Sequence, residues 1–221
     1  MMKRHVYAFD LDDTFYSERD YVDACLRNVA AKFSERLGRP AERLYELMRT
    51  APNAYDALAA AAPEAGVTLD EFKEVYRSTQ PDALPLRHDA RLLLEHLKAD
   101  DVPVYLITDG RSLGQRAKIK ALGLERYFGP DRIIISGETG YEKTTPVPFM
   151  LAMRRHGSPA AWTYVGDNPY KDFRWPNLLG WDTVMLADTE GTNTHTQQPG
   201  MYPPGNYAAR TIADLCDSIA K

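Results

Sequence analysis

Five short runs rich in β-branched and aromatic residues punctuate this chain, at 6–9, 102–108, 132–136, 162–166 and 182–186, and helix-length segments separate the last four. Each run is of strand length and lacks the alternation of a half-exposed strand, so each reads as a strand buried on both faces. The segments between them read as helices. Residues 89–99 carry Leu92, Leu93 and Leu97, residues 112–122 end in Gly123, and Pro146 opens a segment running to His156 and Gly157. A glycine after the last helical turn and a proline in the first are ordinary stop and start signals. Strand and helix in alternation predict a parallel sheet covered on both faces.

The first crossover breaks this rhythm. Between strand one and strand two lie about ninety residues, far more than one βα unit needs. Ser17 with Asp20 predicts a capping box, followed by Val22, Leu26, Val29, Phe33 and Leu37 at helical spacing up to Gly38. Pro40 predicts a second helix with Leu44, Leu47 and Met48 on one face. The Ala-rich stretch 54–62 stops at Pro63, and Thr68 with Glu71 predicts another capping box ahead of Phe72, Val75 and Tyr76. Pro81 and Pro85 bracket the return. Residues 15–86 therefore read as a small helical bundle inserted after strand one, and 189–204 as a loop.

Composition narrows the function classes. The 221 residues are 44% hydrophobic and 26% charged, which suits one large domain or one domain with an insert. Basic residues number 27 against 31 acidic, a formal charge of -4, so binding to a nucleic acid polymer is not expected. A local basic pocket for one small anion is compatible with that balance. Cys25 and Cys216 lie far apart without zinc-ligand spacing, which predicts reduced thiols. The apolar run after Met1-Met2-Lys3-Arg4 stops at Asp10, too short for a signal peptide, and no stretch reaches membrane-span length. The expectation is a cytoplasmic protein without a membrane partner; oligomeric state is not legible.

Chemistry-bearing residues gather at the C-terminal ends of the strands, the edge where open parallel sheets bind ligands. Phe9-Asp10-Leu11-Asp12-Asp13-Thr14 closes strand one. In extended chain Asp10 and Asp12 share a side while Leu11 points to the core. Paired carboxylates repel unless one takes a proton or a cation joins them. Thr108-Asp109-Gly110 closes strand two with a hydroxyl and backbone N–H groups suited to an anion. Glu142-Lys143-Thr144 follows strand three, and Gly166-Asp167 through Lys171-Asp172 closes strand four with carboxylates at i and i+5. Singly, each reads equally well as a turn, a surface charge or a helix cap. Together they place acids, an anion-binding hydroxyl and a lysine along one sheet edge, an oxygen-rich set suited to Mg²⁺.

These four sites resemble, in order, the four motifs of the haloacid dehalogenase-like (HAD) hydrolase superfamily: Asp-x-Asp-x-Thr/Val, then Thr or Ser, then Lys, then Gly-Asp-x-x-x-x-Asp. The resemblance covers nearly the whole chain and gives residues 15–86 the place of a helical C1 cap. It implies an α/β fold with a Rossmann-like parallel five-stranded core from 1–14 and 87–221, plus the inserted all-helical cap. It departs at the third motif, where such hydrolases often read Lys-Pro and this chain reads Lys143-Thr144-Thr145-Pro146. Phe15 stands where relatives usually carry Leu.

Carried onto these positions, the resemblance implies that Asp10 attacks a phosphate monoester to form an aspartyl-phosphate, and that Asp12 acts as acid and then base. It implies Mg²⁺ held by Asp10, the Asp12 carbonyl and Asp167, with Asp172 a ligand or an orienting residue. The 108–110 turn (Thr108, Asp109, Gly110) and Lys143 would bind the phosphoryl group. Thr14 would support its loop, Asp13 has no catalytic role, and Tyr16, Arg19 and Tyr21 would lie near the pocket. Cys25 reads as a packed thiol. Because Asp12 supplies the proton that an alkoxide needs and a halide does not, a phosphatase is favoured over a dehalogenase. The substrate expected is a small phosphate monoester, a nucleotide monophosphate or a sugar phosphate, with a slight lean toward a nucleotidase. Alternatives are a sugar phosphomutase and a non-catalytic binding protein of this fold.

Overall fold

The computed structural model describes residues 4–188, 191–195, 197, 207–210 and 215. Its strands are β1 (Arg4–Phe9), β2 (Val104–Thr108), β3 (Ile133–Ile135), β4 (Ala160–Gly166), β5 (Asp182–Leu186) and β6 (Tyr207–Arg210). Helices α1 (Glu18–Phe33), α2 (Ala41–Thr50), α3 (Ala54–Ala61) and α4 (Leu69–Arg77) lie between β1 and β2, followed by α5 (His88–Ala99). The remainder are α6 (Ser112–Ala121), α7 (Ser136–Thr139), α8 (Val147–His156) and α9 (Arg174–Leu178).

The strands form one sheet in the order β3-β2-β1-β4-β5-β6, every pair parallel. All five expected strands are present. The sixth, β6, pairs with β5 and had no counterpart in the sequence reading, because four residues behind a Pro- and Gly-rich stretch carry too little pattern. β1 sits between β2 and β4, with Tyr7 opposite Val104 and Phe9 opposite Val165. The chain winds outward from β1 to β3, then crosses back to β4. Neighbouring loops therefore part at β1 and leave a crevice over its C-terminal end.

Alternation along β1 feeds two cores. Phe9 and Leu11 join Leu93, Leu97, Leu106 and Ile119 on one face. Val6 and Ala8 join Tyr105, Ile107, Phe149 and Tyr164 on the other. Fully burying a leucine or phenylalanine contributes about 1.5–3 kcal/mol, so both faces must be apolar and the strands show no polar alternation. On α5 the buried stripe is Ala90, Leu93, Leu94 and Leu97, while Leu92 is 53% exposed. At 3.6 residues per turn Leu92 falls on the far side of that stripe.

The inserted helices have a core of their own, including Leu26, Val29, Phe33, Leu44, Met48, Leu58 and Phe72. Leu47, expected on the α2 inner face, is 41% exposed, and Tyr45 is buried in its place. The Leu44–Met48 stripe is extended by the residue one step on, not three. The Thr68–Glu71 capping box forms, Glu71 N–H to Thr68 Oγ1 at 3.3 Å and Thr68 N–H to Glu71 Oε2 at 2.8 Å. The Ser17–Asp20 box does not: Ser17 makes no side-chain cap bond. Asp13, at φ 52°, turns back and accepts the Glu18 N–H at 2.8 Å, placing a carboxylate at the positive end of α1.

The insert leaves and rejoins the sheet at adjacent points. Arg87 N–H donates to the Phe15 carbonyl at 2.9 Å, and Leu84 N–H to the Ala121 carbonyl at 3.0 Å. Cys25 is a buried free thiol whose pKa is pushed up by that burial. Cys216 and part of the 189–204 stretch lie outside the described residues. Among the described residues no helix is long and apolar enough to cross a membrane.

Candidate active site

Asp10 lies one residue past β1, still tied to β4 through its N–H to the Val165 carbonyl at 2.9 Å. Asp10, Asp167 and Asp172 are all buried, and one carboxylate oxygen from each lies within 4.8 Å of the others. Lys143, also buried, donates from Nζ to Asp172 Oδ1 at 2.6 Å and stands 2.8 Å from Asp10 Oδ1. The Thr144-Thr145 step before the proline therefore leaves the lysine head group against Asp10. Burial pushes Asp10 up to about 8, with Lys143 pulling the other way and Asp172 adding repulsion. Asp167 is pushed up to about 9 by burial and then by Asp172 and Asp10. Burial opposes the Lys143 charge, but Asp10 and Asp172 carry it well above the usual lysine value. Three buried carboxylates against one ammonium leave negative charge uncompensated, and this donor set fits a metal ion.

Asp172 is held from every side. Its Oδ2 accepts the Asn168 N–H at 2.8 Å, and its Oδ1 accepts from Lys143 and, at 3.2 Å, from the Tyr164 hydroxyl. It is thus bonded to Lys143 as well as being a member of the acidic cluster. The strand before it ends in glycine for a steric reason: a Cβ on Gly166 would lie 2.3 Å from Asp172 Oδ2.

The turn after β2 differs in part from expectation. The Thr108 hydroxyl is buried and accepts from Gln115 Nε2 at 3.1 Å. The Gly110 N–H, expected to meet an anion, donates to Ser136 Oγ at 2.9 Å. Asp109 offers no donor from its side chain. Its Oδ1 accepts the Lys143 N–H at 3.0 Å and its Oδ2 lies 3.4 Å from Lys171 Nζ, so it ties the loops together.

The Asp12 carboxylate is not part of the acidic cluster. Its Oδ1 accepts from the Tyr16 hydroxyl at 2.5 Å and Lys118 Nζ at 2.8 Å, and its Oδ2 from Gln115 Nε2 at 3.0 Å. Burial works against its charge, but Lys118, with Tyr16 and Gln115, holds its pKa below the ordinary value. Lys118 is nearly buried, lies 3.5 Å from Glu18 Oε1, and sits 4.6 Å from the centre of the Tyr21 ring. Neither Gln115 nor Lys118 was expected here. Their spacing of three on one helix, just after the 108–110 turn, is the only sequence signal.

A cavity of about 190 Å³ opens beside Asp12, walled by Asp109, Gly110 and Lys118 and, from the insert, by Tyr21, Tyr76 and Arg77. Tyr16 and Tyr21 thus reach the site, while Arg19 is exposed on α1 and outside that wall. Thr14 is fully buried, and its hydroxyl has no partner among the described residues. A second unforeseen contribution comes from Asn193, Thr194 and Gln197. Asn193 Nδ2 donates to Asp167 Oδ2 at 2.9 Å, Gln197 Nε2 to the Asp167 carbonyl at 2.8 Å, and the Thr194 N–H to Asp13 Oδ2 at 2.7 Å.

The parallel sheet thus brings a lysine-braced acidic cluster and a separately held carboxylate to its strand ends, under the inserted helices. A family model, haloacid dehalogenase-like hydrolase, matches residues 5–174. The chain belongs to that family and is an enzyme of its phosphatase type, a hydrolase of phosphoric monoesters. It is 29% identical over 199 residues to glyceraldehyde 3-phosphate phosphatase of Methanopyrus kandleri, covering 80% of this chain and 82% of that one. It is 28% identical over 182 residues to ribulose-1,5-bisphosphate 5-phosphatase of Halopiger xanaduensis, covering 81% and 70%. Its fold matches a HAD hydrolase of Bacillus subtilis at TM-score 0.64 and 18% identity, over 99% of this chain and 100% of the other.

Proposed function

We propose that this enzyme hydrolyses a small phosphorylated sugar by way of an aspartyl-phosphate on Asp10, with Mg²⁺ as cofactor and residues 15–86 acting as a cap over the core formed by 1–14 and 87–221. One observation carries the reading. Asp10 and Asp12, two residues apart, sit in opposite electrostatic settings: Asp10 against Lys143 in the acidic cluster, Asp12 against Lys118 outside it. Paired carboxylates with divergent environments are how one site runs nucleophilic and acid–base chemistry together.

Asp10 attacks phosphorus while the Thr108 hydroxyl and Lys143 bind phosphoryl oxygens. Asp12 protonates the leaving alkoxide and then takes a proton from the water that cleaves the intermediate. Lys118 favours the carboxylate form of Asp12 at rest, the form the second half needs. A bound phosphoryl dianion close by raises its proton affinity, which supplies the acid for the first half. Asp10, Asp167 and the Asp12 carbonyl would hold Mg²⁺, which when bound offsets the repulsion between Asp10 and a dianionic substrate. The sugar reading is supported by the triose and pentose phosphates in the relatives' names.

The test is phosphate release from sugar and nucleotide monophosphates, in Mg²⁺ and in EDTA, for the wild type and Asp10→Asn. Release from a sugar phosphate that needs Mg²⁺ and is lost in Asp10→Asn supports the proposal. Undiminished turnover in Asp10→Asn overturns it, and conversion of the sugar phosphate to its positional isomer in place of free phosphate makes the enzyme a mutase.

A further inference from the structure

The cavity beside Asp12 presents positive charge that the proposed reaction does not use. Its acids are already engaged. Asp12 is held by Lys118 and Tyr16, Glu18 lies near Lys118 and accepts the Thr194 hydroxyl at 2.6 Å, and Asp109 holds the Lys143 N–H. Two arginines on its wall are not engaged. Arg77 is the last residue of α4 in the insert, and Arg111 stands at the N-terminal boundary of α6 in the core. Both are exposed, and neither guanidinium makes an ion pair or hydrogen bond to a described residue. By contrast Arg27, Arg36, Arg116 and Arg155 are all bonded to carboxylates or carbonyls. Asp10 and Lys143, which face the phosphoryl group being cleaved, do not line this cavity. The anion that two free guanidinium groups would meet here is therefore a different one.

We infer that this cavity is a subsite for a second anionic group on the substrate, a carboxylate or another phosphate, clamped by Arg111 from the core and Arg77 from the insert. The inference rests on the phosphatase reading above and narrows its substrate class to phosphorylated sugars or sugar acids with two anionic ends. Guanidinium groups suit this task because their planar fork matches carboxylate and phosphate oxygens in pairs.

Paired substrates test it: glyceraldehyde 3-phosphate against 3-phosphoglycerate, and ribulose 5-phosphate against ribulose 1,5-bisphosphate. Within each pair only the second anion differs, so the two pairs separate a carboxylate from a phosphate. The wild type should favour the doubly anionic member of one pair by about tenfold or more in kcat/KM, the scale of one charge-assisted hydrogen bond. Arg77→Gln and Arg111→Gln should each cut that ratio about tenfold, mainly through KM. Equal kcat/KM within both pairs, or a ratio unmoved by both variants, overturns the clamp. If none of the four releases phosphate, the reaction proposed above fails and the clamp is judged on melting temperature alone. Stabilisation by 3-phosphoglycerate or ribulose 1,5-bisphosphate that the double variant loses supports it, and equal shifts overturn it.

Discussion

Replacing Lys118 by Met keeps the stem of the side chain and removes the charge 2.8 Å from Asp12 Oδ1. Asp12 would keep its bonds from Tyr16 and Gln115, but its carboxylate would stand buried without a counter-charge. Breaking a buried pair on one side costs about 3–5 kcal/mol. The carboxylate has an escape, however, which is to take a proton. From an ordinary value of 3.8 that costs 3.2 units at pH 7, or about 4.4 kcal/mol at 1.36 kcal/mol per unit, and this sets a ceiling on the penalty of the unpaired carboxylate in the variant, to which the lost wild-type stabilisation adds. At pH 5 the ceiling falls to 1.2 units, about 1.6 kcal/mol. The sign follows from the direction of the shift. In the wild type Asp12 is depressed, so its contribution is present above the ordinary carboxylate value and fades as pH falls through the folded one. Urea unfolding of both proteins at pH 7 and pH 5 should show a deficit of about 3–5 kcal/mol at pH 7 that shrinks at pH 5 by up to about 2.7 kcal/mol. A deficit that is the same at both pH values would refute the electrostatic account and leave only lost packing against Tyr21.

Gly166→Ala places a methyl 2.3 Å from an Asp172 oxygen that Asn168, Tyr164 and Lys143 hold in place, so thermal unfolding should show a loss of about 1–3 kcal/mol with reduced kcat. Wild-type melting and turnover in that variant would mean the Asp172 anchor is loose. Asp10 and Asp167 are raised to about 8 and about 9, so in metal-free protein their contribution is full below 3.8 and is lost as pH rises through those values. Mg²⁺ should consequently raise Tm more at pH 9 than at pH 6, and an equal shift at both would count against a metal bound by these carboxylates. Asp12→Asn should slow alkyl phosphates far more than aryl phosphates, whose phenolate leaves with little help. Equal loss of kcat/KM on both would remove Asp12 as the acid.

The parts of the site legible in the sequence are those at strand ends, where a short apolar run fixes the register of the residue that follows it. Asp10, Thr108 and Asp167 are of this kind. Lys143 was legible through its order among them, and the geometry at Asp10 absorbs the displaced proline. Gln115 and Lys118 were not legible, because polar residues three apart on a helix read equally as a solvated face. What brings them into the site is contact with Asp12 across 103 and 106 residues of chain, which no local pattern carries. The Gly110 amide illustrates the converse. Its type and position suit an anion, but a hydroxyl from Ser136 at the start of α7 takes the bond. The α1 cap was misplaced for a similar reason, since the turn at Asp13 rather than the nearest serine aims a side chain at the helix start.

The hydrogen bond from Arg87 to Phe15 bears on how such a chain can change. A segment whose two ends already touch exerts no pull on its surroundings, and lengthening it adds only a slowly growing entropy of closure. The closure at those two residues therefore does not itself depend on how many helices stand between them. Helices could be exchanged, enlarged or trimmed at that junction while Asp10 and Asp167 kept their places. Only the first turn of the insert is tied to the bond-breaking chemistry, through Tyr16 on Asp12 and through Glu18 and Tyr21 on Lys118, so selectivity is open to change in the helices beyond it.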